Sequence, residues 1–444
     1  MFSKILIANR GEIAVRVIRA CKEMGIQTVA VFSDADRDAL HVSLADESYR
    51  IGGALSKDSY LDMSRILATA LATGAEAVHP GYGFLSENSD FARKCRENDI
   101  VFIGPPPEVT ERMGNKEQAR RTMKDAGVPI IPGCDLVETI EDAKRESEKI
   151  GFPLLIKARS GGGGRGIRLV NEPEELENAF LSAAAEAQTA FGDGGVYMEK
   201  YLTGVKHIEM QILADRYGNV VCLGERDCSS QRKNQKLIEE SPAVCISQDV
   251  RQKMIAASTK AGKAAGYEGA GTIEYLFDKD GNFYFMEMNT RLQVEHPVSE
   301  MVTWVDLVKW QIRIASGMEL SFEQKDIEFK GHAIECRINA ENPYQNFRPS
   351  AGKIEILHIP GGPWVRFDTA IYQGYHVPPF YDSMIGKLIV FAKSRDEAIR
   401  KMKAALCELI VEGIENNAEF QCELLSHPDF VSGEYTTDYI NAYL

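Results

Sequence analysis

From residue 287 to 295 every second side chain is polar or charged: Glu287, Asn289, Arg291, Gln293 and Glu295, directly after the apolar run Phe283-Tyr284-Phe285-Met286. Successive side chains of an extended strand point to opposite faces, so these five share one face if the strand runs on. A half-buried face carrying that set is stable only where its charges meet a metal, a ligand or each other. That is the pattern of an active site. The charged face has the makeup of a site for hard cations and an oxyanion.

The preceding segment strengthens this. Thr272-Ile273-Glu274-Tyr275-Leu276-Phe277 runs through Asp278-Lys279-Asp280-Gly281 into Asn282, the pattern of a β-hairpin. With Phe277 opposite Asn282, Glu274 falls opposite Phe285, and Glu287 lies two residues further along the same face. Glu274, Glu287 and Asn289 then converge as oxygen ligands. Hard oxygen donors select Mg²⁺ or Mn²⁺ rather than zinc.

At 444 residues the chain calls for two or three domains, and 44% hydrophobic residues suffice for their cores. A net charge of -14 makes the surface repel nucleic acid, so a phosphate-bearing substrate needs a local basic cluster. Nine scattered cysteines without a CxxC pair argue against a disulfide framework or a zinc site and point to a reducing cytoplasm. No run approaches 18 apolar residues, so no membrane span is expected. The opening Ile5-Leu6-Ile7-Ala8 reads as a first strand rather than a signal segment.

Strand and helix signals alternate over the first hundred residues. Strands are expected at 5–8, 28–32, 77–79 and 101–103, with helices at 12–24 and about 60–72. This is the rhythm of a doubly wound, mostly parallel sheet, although the first turn, Ala8-Asn9-Arg10-Gly11-Glu12-Ile13, lacks GxGxxG. A helix is expected over 113–126. From about 130 the pattern changes to two strands joined by a glycine-rich turn, a small α+β unit reaching about 202. The part beyond 330 is strand-rich until a last helical stretch at 395–411.

Three loops carry polar chemistry. Lys157-Ala158-Arg159-Ser160-Gly161-Gly162-Gly163-Gly164-Arg165-Gly166 sets bare backbone between basic residues, either to close on phosphate or as a surface hairpin. No Gly-Lys-Ser/Thr follows, so it is not a Walker loop. Glu225 to Lys236 is polar and basic, and by itself it suits a solvated face as well as a site. Its Cys228 has no histidine neighbour to activate it and reads as an inert thiol. His79-Pro80-Gly81-Tyr82-Gly83-Phe84-Leu85-Ser86-Glu87-Asn88 follows a strand where α/β folds bind ligands, and suits a structural turn equally well.

Together these segments resemble the biotin carboxylase family of the ATP-grasp superfamily. The likeness extends to Phe347-Arg348-Pro349-Ser350-Ala351-Gly352-Lys353-Ile354 and Tyr381-Asp382-Ser383-Met384, and so covers nearly the whole chain. It implies an α/β and α+β multidomain protein. An N-terminal doubly wound domain (1–112) precedes an ATP-grasp domain (113–320) with a mobile lid at about 130–202. A strand-rich C-terminal domain (330–444) completes it.

The resemblance implies ATP contacts at Lys116, Lys157, Gly163, Gly164, His207 and Gln231, and an adenine-binding segment at Glu199, Lys200, Tyr201 and Leu202. Glu274, Glu287 and Asn289 match ligands for two Mg²⁺ or Mn²⁺ ions. Lys236, Arg291, Gln293, Val294 and Glu295 match a bicarbonate pocket, and Arg337 a biotin-facing arginine. The implied reaction is ATP-dependent carboxylation of biotin through carboxyphosphate, with Glu295 as the base. Three departures from the family pattern stand out: Asn234 for a histidine, Asn115 for an aspartate, and Arg159-Ser160 for small residues.

The chain carries no Met-Lys-Met biotin acceptor segment before Leu444. The expectation is a separate cytoplasmic, homodimeric subunit of an acetyl-CoA carboxylase, working with a biotin carboxyl carrier protein and carboxyltransferase subunits. A subunit of a propionyl-CoA, other acyl-CoA or pyruvate carboxylase is the alternative. A different ATP-grasp ligase would not need the Arg337 region, and a dead nucleotide sensor would not keep Arg291, Glu295 and the metal carboxylates.

Overall fold

Alternate residues of the first strand feed two different cores. Ile5 and Ile7 pack with Val17 and Ile18, whereas Leu6 and Ala8 pack with Val29, Tyr60, Ile66 and Phe91. Burial on both faces is what a parallel sheet between helices requires. In this computed structural model, which describes residues 1–134, 136–158, 167–191, 194–233 and 235–443, that sheet has the order β3-β2-β1-β4-β5. Its strands are β1 (Lys4–Ile7), β2 (Gln27–Ser33), β3 (Glu47–Gly52), β4 (Ala77–His79) and β5 (Val101–Phe102), all parallel. The order reverses between β1 and β4, so the crevice at their carboxyl ends opens beside Asn9 and the loop after His79. Asn9 Nδ2 fixes that loop by donating to the carbonyls of Pro80 (2.7 Å) and Tyr82 (2.8 Å).

The expected helix over 113–126 is two helices, Pro107–Gly114 and Lys116–Asp125. They break at Asn115, whose side chain caps the second by accepting from Gln118 N at 3.0 Å. The small unit follows: β6 (Leu154–Ala158), β7 (Ile167–Val170) and β8 (Val196–Lys200) in the order β7-β6-β8, with helices Ile140–Ile150 and Leu176–Phe191 over its own core. The hairpin read around the glycine loop is present, Lys157 pairing with Ile167. Gly163 and Gly164 lie outside the described residues, as does Asn234.

One eight-stranded antiparallel sheet spans the remainder. Its strands are β9 (Lys206–Ala214), β10 (Val220–Arg232), β11 (Gln235–Ser241), β12 (Gly269–Phe277), β13 (Phe283–Asn289) and β14 (His332–Asn339), then Val365–Thr369 and Met384–Ala392. The order is β13-β12-β9-β10-β11-β14, then Met384–Ala392 and Val365–Thr369. Ile208, Met210, Ile212, Ile273, Tyr275 and Met288 bury one face against the helix Gln248–Ala265. Ile334, Cys336, Ile338, Leu388 and Val390 continue the apolar packing under the helices Arg395–Glu408 and Ala418–Ser426. The last expected helix ends at Glu408 rather than 411. The β-branched Ile410 and Val411 pair instead with Ile356–His358, and further short helices follow. No described helix is long and apolar enough to cross a membrane.

Two expectations for the hairpin are corrected. Phe277 pairs with Phe283, not Asn282, and Glu274 pairs with Glu287, not Phe285. The turn is one residue longer than read, which alone would send Glu287 to the opposite face. A bulge between the Tyr275–Phe285 and Glu274–Glu287 pairs adds a second residue and restores the parity. The strand also stops at Asn289 instead of continuing to Glu295. Beyond it, Thr290 N donates to Glu87 Oε1 at 3.0 Å, so the backbone leaves the sheet for the N-terminal loop before the helix His296–Thr303 begins.

Candidate active site

The polar face of the large sheet is set by β9, where His207, Glu209 and Gln211 alternate with Ile208, Met210 and Ile212. Glu209 is flanked by Glu274 of β12 on one side and Arg226 of β10 on the other. Arg226 reaches that register through a bulge at Gly224, whose φ of +82 suits glycine and whose missing Cβ leaves room for the Phe329 ring. Arg226 is wholly buried, and its guanidinium binds Glu209, Gln211, Thr272, Gln293 and Ser299 at 2.8–3.3 Å. Sequence reasoning missed both Glu209 and Arg226. The alternation in β9, the same signal that exposed Glu287 to Glu295, could have found Glu209.

Lys236 enters this face from β11. Its ammonium contacts Glu209, lies 2.7 Å from Glu295 Oε1 and 3.3 Å from Glu274 Oε1. Burial opposes that charge, but the three carboxylates outweigh it and hold Lys236 firmly protonated. Burial likewise works against His207, yet Glu274 at 3.0 Å and Glu209 at 3.3 Å raise it to about 9. Glu274 in turn resists burial through Lys236 and His207 and sits well below the usual carboxylate range. Glu287, directly opposite in register, makes no side-chain hydrogen bond or ion pair among the described residues. Burial and the neighbouring Glu274 raise its proton affinity.

The segment after β13 brings in the other predicted residues. Asn289 donates to Glu274 Oε1 (2.7 Å) and accepts from Arg291 Nη2 (3.0 Å). Gln293 spans Glu274 (2.8 Å) and Arg226 (2.8 Å), while the Val294 carbonyl accepts from Lys387. Glu295 is gripped by Lys236 through one oxygen and by Arg337 Nη2 at 3.0 Å through the other. Burial would push it up, but Lys236, against Glu209, and then Arg337 bring it below its ordinary value, so it is ionised and can accept a proton. Arg337, on β14, also donates to Glu239 at 2.6 Å. Arg291 pairs with Glu87 at 2.9 Å, which ties the N-terminal loop to the site. Glu87 stood in a loop read ambiguously, and nothing local distinguished it. Cys228 is buried 3.9 Å from Glu295, and burial holds its thiol well up, as suits an inert group.

The predicted nucleotide residues are spread over several elements. Lys157 pairs with Glu199, which Arg120 also binds at 2.9 Å, and Lys200 donates to the Phe152 carbonyl at 2.8 Å. Tyr201 and Leu202 are half-buried just beyond β8, Lys116 is exposed at a helix N-terminus, and Gln231 pairs with Lys236 across the β10–β11 hairpin. The chemistry of Glu274 and the unpartnered Glu287 fits a divalent cation, since a positive charge between them removes the repulsion that raises Glu287.

Three family models cover the chain. Residues 1–110 match the biotin carboxylase N-terminal domain and 335–442 the biotin carboxylase C-terminal domain, while 115–323 match the carbamoyl-phosphate synthase L chain ATP-binding domain. Biotin carboxylase 1 of Bacillus subtilis is 56% identical over 100% of this chain and 99% of its own length. The chain belongs to the biotin carboxylase family. It is similar too to a pyruvate carboxylase subunit of Methanothermobacter thermautotrophicus, at 52% identity over 100% of this chain and 90% of that protein. The biotin carboxylase domain dimer of Hydrogenobacter thermophilus 2-oxoglutarate carboxylase, solved with MgADP, ADP and bicarbonate, superposes with a TM-score of 0.92. It is 50% identical and covers 100% of this chain and 98% of that one. As a biotin carboxylase, the chain is an ATP-dependent ligase.

Proposed function

We propose that this biotin carboxylase carboxylates biotin on a carrier protein with bicarbonate and ATP, and that the polar face of the large sheet is where it does so. The observation that carries the residue assignments is Glu295, held between Lys236 and Arg337. Lys157, Lys116, Gln231, His207 and the Glu199 to Leu202 segment hold the nucleotide, with Gly163 and Gly164 closing on its phosphates. Glu274, Glu287 and Asn289 hold the divalent ions, which when bound neutralise charge on the phosphate oxygens.

Arg291 and Lys236 bind bicarbonate, with Gln293 and the Val294 backbone shaping the pocket. Glu295 takes the bicarbonate proton as its oxygen attacks the γ-phosphorus, and ADP leaves. The carboxyphosphate formed breaks down to CO₂ and phosphate, and that phosphate takes the biotin N1′ proton. Arg337 steadies the negative oxygen of the deprotonated ureido group while N1′ attacks CO₂. The small three-stranded unit, about 130–202, acts as a lid that excludes water from the intermediate.

We assign this chain to residues 1–112, 113–320 and 330–444 as functional units, and to a cytoplasmic acetyl-CoA carboxylase with separate carrier and carboxyltransferase subunits, acting as a dimer. The nine free cysteines accord with a reducing compartment. A pyruvate or 2-oxoglutarate carboxylase subunit is the second reading, favoured by the relatives of that name. Bicarbonate-dependent ATP hydrolysis, measured with and without free biotin, tests the core reading. Stimulation by biotin that disappears in Arg337→Ala is expected; hydrolysis indifferent to biotin overturns it.

A further inference from the structure

Glu239 of β11 and Glu335 of β14 are directly opposed in antiparallel register, and both are wholly buried. Opposed residues on one face bring Cβ atoms within about 5 Å. Glu239 Oε1 accepts from Arg337. Glu239 Oε2 and both oxygens of Glu335 have no hydrogen-bond partner among the described residues. A carboxylate has only acceptors, so adjacent ionised carboxylates cannot satisfy one another, whereas a single proton between them gives one oxygen of each a partner.

The cations nearby are already engaged. Arg337, two residues along the same strand face, binds Glu239 and Glu295. Lys387, on the neighbouring strand, donates to the Val294 carbonyl, lies 3.3 Å from Glu12 and is paired in register with Asp368. From the N-terminal loop, Tyr82 donates to Glu12. The helix packed on this face brings His296, whose Nδ1 meets the Gln293 carbonyl and whose burial keeps it neutral. Burial, opposed by Lys387 and reinforced by Glu239, raises Glu335 well above the carboxylate range, and burial lifts Glu239 to about 7.

We propose that Glu335 is a neutral acid that donates its proton to Glu239 Oε2, and that this pair is a positioning element for Arg337. One proton on the pair leaves a single negative charge beside the guanidinium. With both carboxyls ionised, the added charge pulls Arg337 back from Glu295 and from the biotin side of the site. This inference rests on the assignment of Arg337 to biotin. No bond other than an O–H bond is made or broken.

Infrared spectra of the intact protein with ¹³C-labelled glutamate provide a direct test. A protonated carboxyl C=O band is expected at neutral pH, sensitive to the label and absent from Glu335→Gln. In kinetics, the wild-type KM for free biotin is expected to rise by about tenfold per pH unit once the proton is lost. Glu335→Gln, isosteric and permanently neutral, should keep a flat KM in that range. Absence of the band from the wild type, or an unchanged alkaline rise in the variant, overturns the proposal. Should the variant not fold, loss of the wild-type band at the pH where KM rises supports it, and mismatched pH values sink it. Bicarbonate-dependent ATP hydrolysis stimulated by biotin in the wild type shows that the functional reading stands even if this one fails.

Discussion

Charged side chains on the sheet face are held in alternation: Glu295 by Lys236 and Arg337, and Glu209 by Lys236 and Arg226. Each has a role that an isosteric change isolates. Glu295→Gln keeps its shape but loses the base, so bicarbonate-dependent ATP hydrolysis should fall by about 10²–10⁴-fold with nucleotide binding retained by calorimetry. Retained hydrolysis would remove Glu295 from the role of base. Arg226→Met deprives Glu209 of one of its buried cations and Gln293 of its donor, and should destabilise by about 3–5 kcal/mol in denaturant titration. A stability close to wild type would mean that Lys236 and His207 suffice for Glu209. Glu295 was legible in the sequence because it belongs to an alternating polar series. Glu87 was not, because its contacts with Thr290 and Arg291 lie some two hundred positions away.

Elements set which face a residue reaches, and bulges in two strands are decisive here. The bulge near Phe285 of β13 cancels the shift introduced by the turn, so Glu287 meets Glu274. The one at Gly224 brings Arg226 opposite Glu209. Gly224→Ala should cost about 2 kcal/mol or more, since the residue has positive φ and its Cβ would strike Phe329. Adding Phe329→Ala should relieve the steric part and leave the backbone part, as read by thermal melts of the single and double variants. Full additivity would show that the ring is not the obstacle. The hairpin itself was legible from its turn residues. Its register was not, because a bulge depends on how neighbouring strands twist and pack rather than on local propensity.

Across the whole molecule, Glu300 on the helix His296–Thr303 joins three regions. It binds Arg16 of the first helix at 2.8 Å, Arg366 of the strand Val365–Thr369 at 2.8 Å, and the Leu307 backbone N–H at 2.9 Å. Burial alone would raise Glu300, but Arg16 and Arg366 lower it from 4.5 to about 2. A depressed carboxylate stabilises fully above its unfolded value and loses that contribution as pH falls toward its folded value. Glu300 thus contributes about 3 kcal/mol at neutral pH, lost between about pH 5 and 2. Glu300→Gln should be less stable near pH 7, and its deficit should shrink on acidification. A deficit constant with pH would assign its effect to packing instead.

The parallel first sheet, the hairpin around the glycine loop and the alternating polar series were legible in the sequence, because period and turn chemistry act over a few residues. Only the tertiary structure decided that the charged series leaves the sheet at Asn289, that Glu87 anchors it, and that Glu239 faces Glu335. Those outcomes depend on strands brought together from distant parts of the chain, where burial fixes which charges must be paired and which must be neutral.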